Sequence, residues 1–109
     1  MSLSNRYAVV FVTTANKKEA EKIADVVVKK RLVACVNIVE QIESIYWWQN
    51  KIEKSSETLL MMKTRFVLAK KLIKKIKSLH SYSVPEIIML PVLDGNPEYL
   101  KWIREETKL

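Results

Sequence analysis

The sequence is poor in the residues that most often build cofactor and metal sites. Its 109 residues include one glycine, one cysteine and one histidine. Phosphate-holding loops need several glycines because the backbone must approach the phosphate closely, so Walker and dinucleotide-binding loops are excluded. One cysteine excludes a disulfide framework within the chain, and one histidine excludes a multi-histidine metal site. No apolar run reaches the roughly 20 residues of a membrane span, and residues 1–6 do not resemble a signal peptide. We therefore expect a soluble, cytoplasmic protein.

What is present suits one globular domain covering residues 1–109. Hydrophobic residues make up 49% of the chain, too many for a disordered protein, and the length fits a single domain. Lysine and arginine number 19 against 12 acidic residues, which gives a net charge of +7. That balance permits anionic partners but does not name one.

The hydrophobic pattern predicts the element order βαββαβ followed by a terminal helix. Asn16 and Glu19 have the spacing of a capping box, and Asn96 and Pro97 have the residue types of a second helix start. Pro91 predicts that the fourth strand lies at a sheet edge or ends there. The predicted strands cover residues 7–13, 32–39 (extended through 42–48), 52–62 and 86–90, with a turn at 49–51, and helices cover 16–31, 66–79 and 97–103. This order predicts an α+β, ferredoxin-like sandwich with an antiparallel sheet and an extra C-terminal helix.

Three of the predicted strands are apolar at odd and even positions alike, namely in residues 9–12, 59–62 and 87–90. The helices of such a sandwich cover only one face of the sheet. Large apolar patches usually mark interfaces. We predict that the terminal helix covers part of the second face and a partner subunit the rest, so the protein is a homo-oligomer.

Five segments in order along the chain carry a family resemblance: ACVNI (34–38), SIYWW (44–48), ETLLMMKT (57–64), HSYSVPE (80–86) and YLKWI (99–103). The last four are similar to an SIYxW segment, a strand ending in KT, an HPYxxPE segment and a closing YLxWI helix. Together they resemble the CutA family, named for divalent-cation tolerance, over nearly the whole chain.

The resemblance implies a homotrimer whose long hairpins exchange strand contacts between neighbouring subunits. It implies a role in tolerance of divalent metals, copper especially. Separately, the missing motifs lead us to expect no enzymatic activity and no nucleic-acid or membrane partner. At the ligand positions proposed within the family, this chain has Thr13, Leu79 and Glu86, so only the glutamate is retained. His80 matches the histidine of HPYxxPE.

The candidate metal ligands are therefore His80, Glu86 and Cys35, for Cu²⁺ or another divalent cation. His80 and Glu86 are six residues apart and can point into one cleft, where a second subunit could complete the set. Each candidate has a plainer interpretation. His80 suits a helix C-terminus as a cation or hydrogen-bond anchor, and Cys35 suits a strand as a small buried hydrophobe.

Two further groups have alternative interpretations. Glu57 and Lys63 share a strand face and form either two separate salt bridges or, with Tyr82, a polar cluster in an inter-subunit cleft beside His80 and Glu86. Tyr82 either packs, which is the preferred interpretation, or hydrogen-bonds to Glu86. The aromatic residues Tyr46, Trp47 and Trp48 suit an oligomer interface, or base stacking on single-stranded nucleic acid.

The second helix places Lys70, Lys71, Lys74, Lys75 and Lys77 on one side. This is either a solvated face or an electrostatic footprint for phosphate or nucleic acid, although the glycine-aromatic motif of an RNA-binding sandwich is missing. No nucleophile–base pair points to an enzyme. The preferred hypothesis is a trimeric divalent-metal tolerance protein that binds copper or a similar cation weakly. The alternative is a trimeric PII-like regulatory module that binds a small anion in inter-subunit clefts.

Overall fold

The computed structural model describes residues 6–108. The expectation that residues 1–6 are not a signal peptide therefore falls almost wholly outside the described residues. The predicted element order is confirmed, and the fold is α+β with four strands and three α-helices in the described part. The elements are β1 (Tyr7–Thr14), α1 (Lys17–Lys29), β2 (Cys35–Trp48), β3 (Lys51–Arg65), α2 (Ala69–Leu79), β4 (Ile87–Pro91) and α3 (Pro97–Glu106).

The four strands form one antiparallel sheet in the order β2-β3-β1-β4. β1 lies inside the sheet, which explains its unbroken apolar sequence. β4 is an edge strand and ends at Pro91, so both parts of the prediction from that proline are confirmed. Proline has no N–H to donate to a neighbouring strand.

Helices α1 and α2 cover one face of the sheet and form the main core with it. The side chains at the centre of this core are fully buried and include Val10, Val12, Ile23, Leu60, Met62, Leu72 and Ile76. Alternate strand residues point to the same face, so Val10 faces the helices together with its neighbours Met62 and Met89.

The opposite face of the sheet is only partly covered. Helix α3 packs there: Ile103 is buried, and the Arg65 side chain on β3 hydrogen-bonds to Thr107. Farther from α3, Ile88 is 50% exposed and Leu90 45% exposed. The expectation that the terminal helix covers part of this face is therefore confirmed.

Several predicted boundaries differ from the observed ones, and two of them differ for clear local reasons. β2 begins at Cys35 and not at residue 32, because Arg31 (φ 58°) and Leu32 close the end of α1 by donating to the carbonyls of Val28 and Val27. This is a Schellman motif with arginine at the left-handed position that usually holds glycine. The second helix begins with a 3-10 turn, Phe66–Leu68, before α2.

Beyond the sheet, β2 and β3 continue as a two-stranded arm. Pairing shifts by one residue between Val39 and Ile42, where Gln41 has a φ of 57°. Such a β-bulge increases the local twist of the strands. The arm ends in a two-residue turn at Gln49 and Asn50, both with positive φ, inside the predicted turn. Trp47, near the tip, is 72% exposed.

Candidate functional site

A cleft of about 600 Å³ lies where the arm leaves the sheet. One wall comes from the arm, a second from the end of β1, and a third from the segment between α2 and β4. The lining residues are Thr13, Ser44, Ile45, Tyr46, Trp48, Glu57, Tyr82, Ser83, Val84 and Glu86. The volume lies within the range typical of small-ligand sites.

His80 holds the segment after α2 against β1. Its side chain is fully buried, and Nε2–H donates to the carbonyl oxygen of Thr13 at 2.7 Å. Nδ1 accepts the backbone N–H of Tyr82 at 3.0 Å. These partners assign a neutral ring protonated at Nε2, with both nitrogens engaged. In this conformation neither nitrogen has a lone pair free for a metal ion, which favours the interpretation of His80 as a hydrogen-bond anchor.

Glu19 fixes the same segment from the side of α1. Its carboxylate accepts the backbone N–H of Ser81 at 2.7 Å and the Ser81 hydroxyl at 3.0 Å. Burial alone would raise the pKa of Glu19, but the hydrogen bonds from Ser81 and Ala15 prevail and lower it. The capping contact was predicted correctly, since Asn16 accepts the Glu19 N–H at 2.8 Å. The contact with Ser81 was missed, because no local pattern marks residues that are 62 positions apart.

Glu57 and Tyr82 meet inside the cleft. The Tyr82 hydroxyl donates to Glu57 Oε2 at 2.8 Å. Burial raises the pKa of the Tyr82 hydroxyl, and the hydrogen bond to the Glu57 carboxylate raises it further. The phenol therefore stays protonated at neutral pH. The tyrosine ring also lies against the His80 ring, with centroids 4.8 Å apart. Two members of the predicted polar cluster, Glu57 and Tyr82, are therefore in contact. The Tyr82 hydroxyl bonds to Glu57 and not to Glu86, because Glu57 on β3 lies within its reach.

The cleft presents carboxylate oxygen to its interior. Glu57 is only 8% exposed, and the described residues give its Oε1 atom no hydrogen bond. Glu57 nevertheless lines the cleft, so its carboxylate lies at the cleft wall. Glu86 is exposed and lines the same cleft. The remaining polar groups of the lining are hydroxyls and the indole N–H of Trp48, which has no lone pair for a metal ion, so the available ligand atoms are all oxygen.

Other candidate residues lie elsewhere in the chain. Cys35 pairs with Lys63, which is level with Val9, whereas the cleft begins near Thr13, about 13 Å farther along the strand. One chain therefore does not bring Cys35 together with Glu86, or Lys63 together with Glu57. Across residues 6–108, no group of three histidine, cysteine or acidic side chains is placed to hold a metal ion.

Cys35 instead contacts α3. Its thiol is half-buried and lies against the Tyr99 hydroxyl. Burial raises the pKa of Tyr99, and the neighbouring Cys35 raises it further. Of the three predicted interface aromatics, Tyr46 and Trp48 line the cleft, and Trp47 is not among the lining residues.

Comparison with known proteins assigns the family. A family model described as CutA1 divalent ion tolerance protein matches residues 8–106. The chain belongs to this family. The resemblance seen in its five sequence segments is thereby confirmed.

Relatives of the chain include CutA proteins from distant organisms. It is 51% identical to Protein CutA of Mus musculus over 98 residues, which is 90% of this chain and 55% of the mouse protein. It is 46% identical to the divalent-cation tolerance protein CutA of Thermus thermophilus over 99 residues, which is 91% of this chain and 96% of that protein. The chain thus spans about half the length of the mouse, rice and human relatives.

Solved CutA structures have the same fold. The Thermus thermophilus structure has a TM-score of 0.91 at 45% identity and covers 94% of this chain and 99% of its own. CutA1 from Oryza sativa has a TM-score of 0.92 at 43% identity, with 94% of each chain covered. None of the relatives described here is a PII-type signalling protein.

The place of the protein in the cell does not follow from the family. One relative is named as chloroplastic and another as periplasmic. Within residues 6–108, no helix has the length and apolar character needed to cross a membrane.

Proposed function

We propose that this CutA chain acts in divalent-cation tolerance as a homotrimer and binds the cation weakly in the cleft at the base of the arm. The observation that carries the proposal is the pair of carboxylates, Glu57 and Glu86, lining one cleft in a chain of this family. The proposal includes no catalytic step.

The donor set fits a divalent cation. Carboxylate and hydroxyl oxygens suit hard ions, and Cu²⁺ binds most tightly among first-row divalent metals at a given site. With His80 hydrogen-bonded on both ring nitrogens and Cys35 elsewhere on the sheet, the single chain offers no nitrogen or sulfur ligand here. We therefore revise the predicted set of His80, Glu86 and Cys35 to Glu57 and Glu86, with Cu²⁺ the preferred ion. Two carboxylates without softer ligands explain why binding would be weak.

The same lining argues against the anionic-ligand alternative. Two carboxylates face the cleft, and Lys63, the cation expected to attract an anion, lies about 20 Å from Glu57 along the strand. An anion entering this cleft would meet like charge.

Trimer formation is supported by apolar surface that the single chain leaves uncovered. Such surface occurs on the open sheet face at Ile88 and Leu90 and on the arm at Ile45, Trp47 and Ile52. Contiguous apolar patches of this kind usually mark protein interfaces. The chain and sheet orders also support the ferredoxin-like assignment for each subunit.

Calorimetric titration with Cu²⁺ and then Zn²⁺, in a weakly coordinating buffer, tests the cation site. We expect micromolar to millimolar binding at a fixed ratio per subunit, tighter for Cu²⁺ than for Zn²⁺. Glu57→Gln and Glu86→Gln should each weaken Cu²⁺ binding about tenfold or more, because each removes a charged oxygen ligand.

Glu21→Gln is the matched control, since Glu21 is an exposed carboxylate on α1 that does not line the cleft. It should bind Cu²⁺ as the unsubstituted protein does. Absence of stoichiometric binding, or equal weakening in all three variants, would contradict the proposed site.

A further inference from the structure

Helix α2 carries positive charge without any negative charge near it in sequence. It has five of the 19 basic residues of the chain, and no acidic residue occurs between Glu57 and Glu86. No ion pair within residues 6–108 joins any of these lysines to a carboxylate. The charge is therefore available to a partner outside the chain.

Four of these lysines, Lys70, Lys71, Lys74 and Lys77, are exposed and form what we call the basic face. At about 100° per residue they fall within roughly 120° of the helix circumference. Between three of them lies a depression of about 340 Å³ lined by Lys70, Ile73, Lys74 and Lys77. Its lining combines the apolar side chain of Ile73 with three lysine side chains.

Exposed apolar side chains adjoin the basic face at its N-terminal end. In the 3-10 turn that leads into α2, Val67 is 74% exposed and Phe66 is 46% exposed. Lysines alone would suit any polyanion. Apolar side chains projecting beside them suit a partner that is anionic at its surface and apolar just beneath it, which is the composition of a lipid bilayer.

We propose that α2 is a docking surface for anionic lipid membranes, with the basic face on the phosphate headgroups and Val67 in the headgroup–acyl boundary. This surface shares no lining residue with the cation cleft, so a failure of either proposal leaves the other unaffected. The sequence pattern alone predicted no membrane partner, because the exposure of Phe66 and Val67 is visible only in the folded chain.

Co-sedimentation with sucrose-loaded vesicles tests this proposal. We expect binding to vesicles of phosphatidylglycerol and phosphatidylcholine in equal parts, and none to phosphatidylcholine alone. Replacing all four lysines of the basic face by glutamine should lower the partition coefficient on the order of 100- to 1,000-fold, since each lysine contributes about fivefold. Raising the salt to about 0.5 M should have a similar effect, because ions screen exposed charges.

Control variants separate the location of the charge from its amount. The control lysines are exposed as well: two lie on the arm, one on α3 and one just after α3, namely Lys51, Lys54, Lys101 and Lys108. Replacing these four by glutamine makes the same change in net charge and should leave vesicle binding within about threefold. Replacing the four lysines of the basic face by arginine should retain binding, because the charge is kept. Light scattering and thermal unfolding would verify that each variant keeps its assembly and fold.

Val67→Ser distinguishes a membrane from another polyanion. It should weaken vesicle binding about fivefold by removing apolar contact and leave binding of a short DNA duplex unchanged. Binding to DNA without binding to anionic vesicles would overturn the proposal. Equal binding to neutral vesicles, or equal loss in both glutamine variants, would overturn it as well.

Discussion

At the residue scale, Glu19 connects three parts of the chain that form one side of the cleft region. It follows the Asn16 cap of α1, and its carboxylate accepts hydrogen bonds from Ala15 and from Ser81 after α2. Through Ser81 it holds the adjoining residues His80 and Tyr82, and Tyr82 in turn reaches Glu57. Its charge is therefore part of the structure that positions the cleft.

Glu19→Gln should destabilise the protein by about 1–2 kcal/mol at pH 7, because one accepting oxygen becomes an NH2 donor and the remaining hydrogen bonds lose the help of the charge. The pKa of Glu19 is lowered in the folded state from its ordinary 4.5. The stability it confers is therefore present above about pH 4.5 and lost as the pH falls through the folded value. Denaturant unfolding at pH 7 and near pH 3, at one protein concentration, should show the difference between variant and unsubstituted protein shrinking in acid.

Glu21→Gln is again the appropriate control, because Glu21 is exposed on the same helix. A Glu19→Gln deficit of the same size at both pH values would show that the ionised carboxylate is not the stabilising species.

At the element scale, the arm depends on a turn that avoids glycine. Gln49 and Asn50 have φ values of 50° and 66°, which is the left-handed region that two-residue hairpin turns require. Asparagine tolerates this conformation, whereas glutamine has no comparable local hydrogen bond to offset it. The turn was predictable in position, but its left-handed geometry was not, because the Asn-Gly pair that signals it is missing.

The double variant Gln49→Asn/Asn50→Gly should stabilise the protein by about 1 kcal/mol, since it supplies the residues that this turn prefers. Gln49→Val should have the opposite effect, because a β-branched side chain is strained at positive φ. Equilibrium unfolding at fixed protein concentration measures both changes. Unchanged midpoints in both variants would show that the turn conformation is not under strain.

At the scale of the whole molecule, the sheet is covered by α1 and α2 on one face and only in part by α3 on the other. Ile88 and Leu90 remain half exposed on the open face, and an arm with exposed Trp47 extends beyond the sheet. A single chain thus leaves apolar surface in water that association would bury, and burial of such surface is the main favourable term in assembly.

Light scattering should give a particle mass three times the 12.7 kDa of the chain. Ile88→Lys should lower that mass by placing a charge in the predicted interface, which costs several kcal/mol if it stays unpaired. Val28→Lys is the matched control, because Val28 is similarly exposed but lies on α1. A monomeric unsubstituted protein would refute the trimer, and equal dissociation of both variants would refute this interface.

The sequence by itself determined the element order, the capping of α1 by Asn16, the edge position of β4 and the family. These features depend on signals within a few residues: apolar periodicity, side chains that reach neighbouring N–H groups, and proline without a donor. It also placed Glu57, Tyr82 and Glu86 among the candidate residues.

Only the tertiary structure decided which candidates share a site. The hydrogen bond from His80 to Thr13 joins two distant segments, while Nδ1 of His80 accepts from the nearby Tyr82. Strand register separates Cys35 and Lys63 from the cleft, and the bulge at Gln41 marks where the arm begins. The bond to Thr13, the register and the bulge all depend on contacts between residues far apart along the chain. Such pairings are fixed by the packing of the whole core, so no local pattern of residues specifies them.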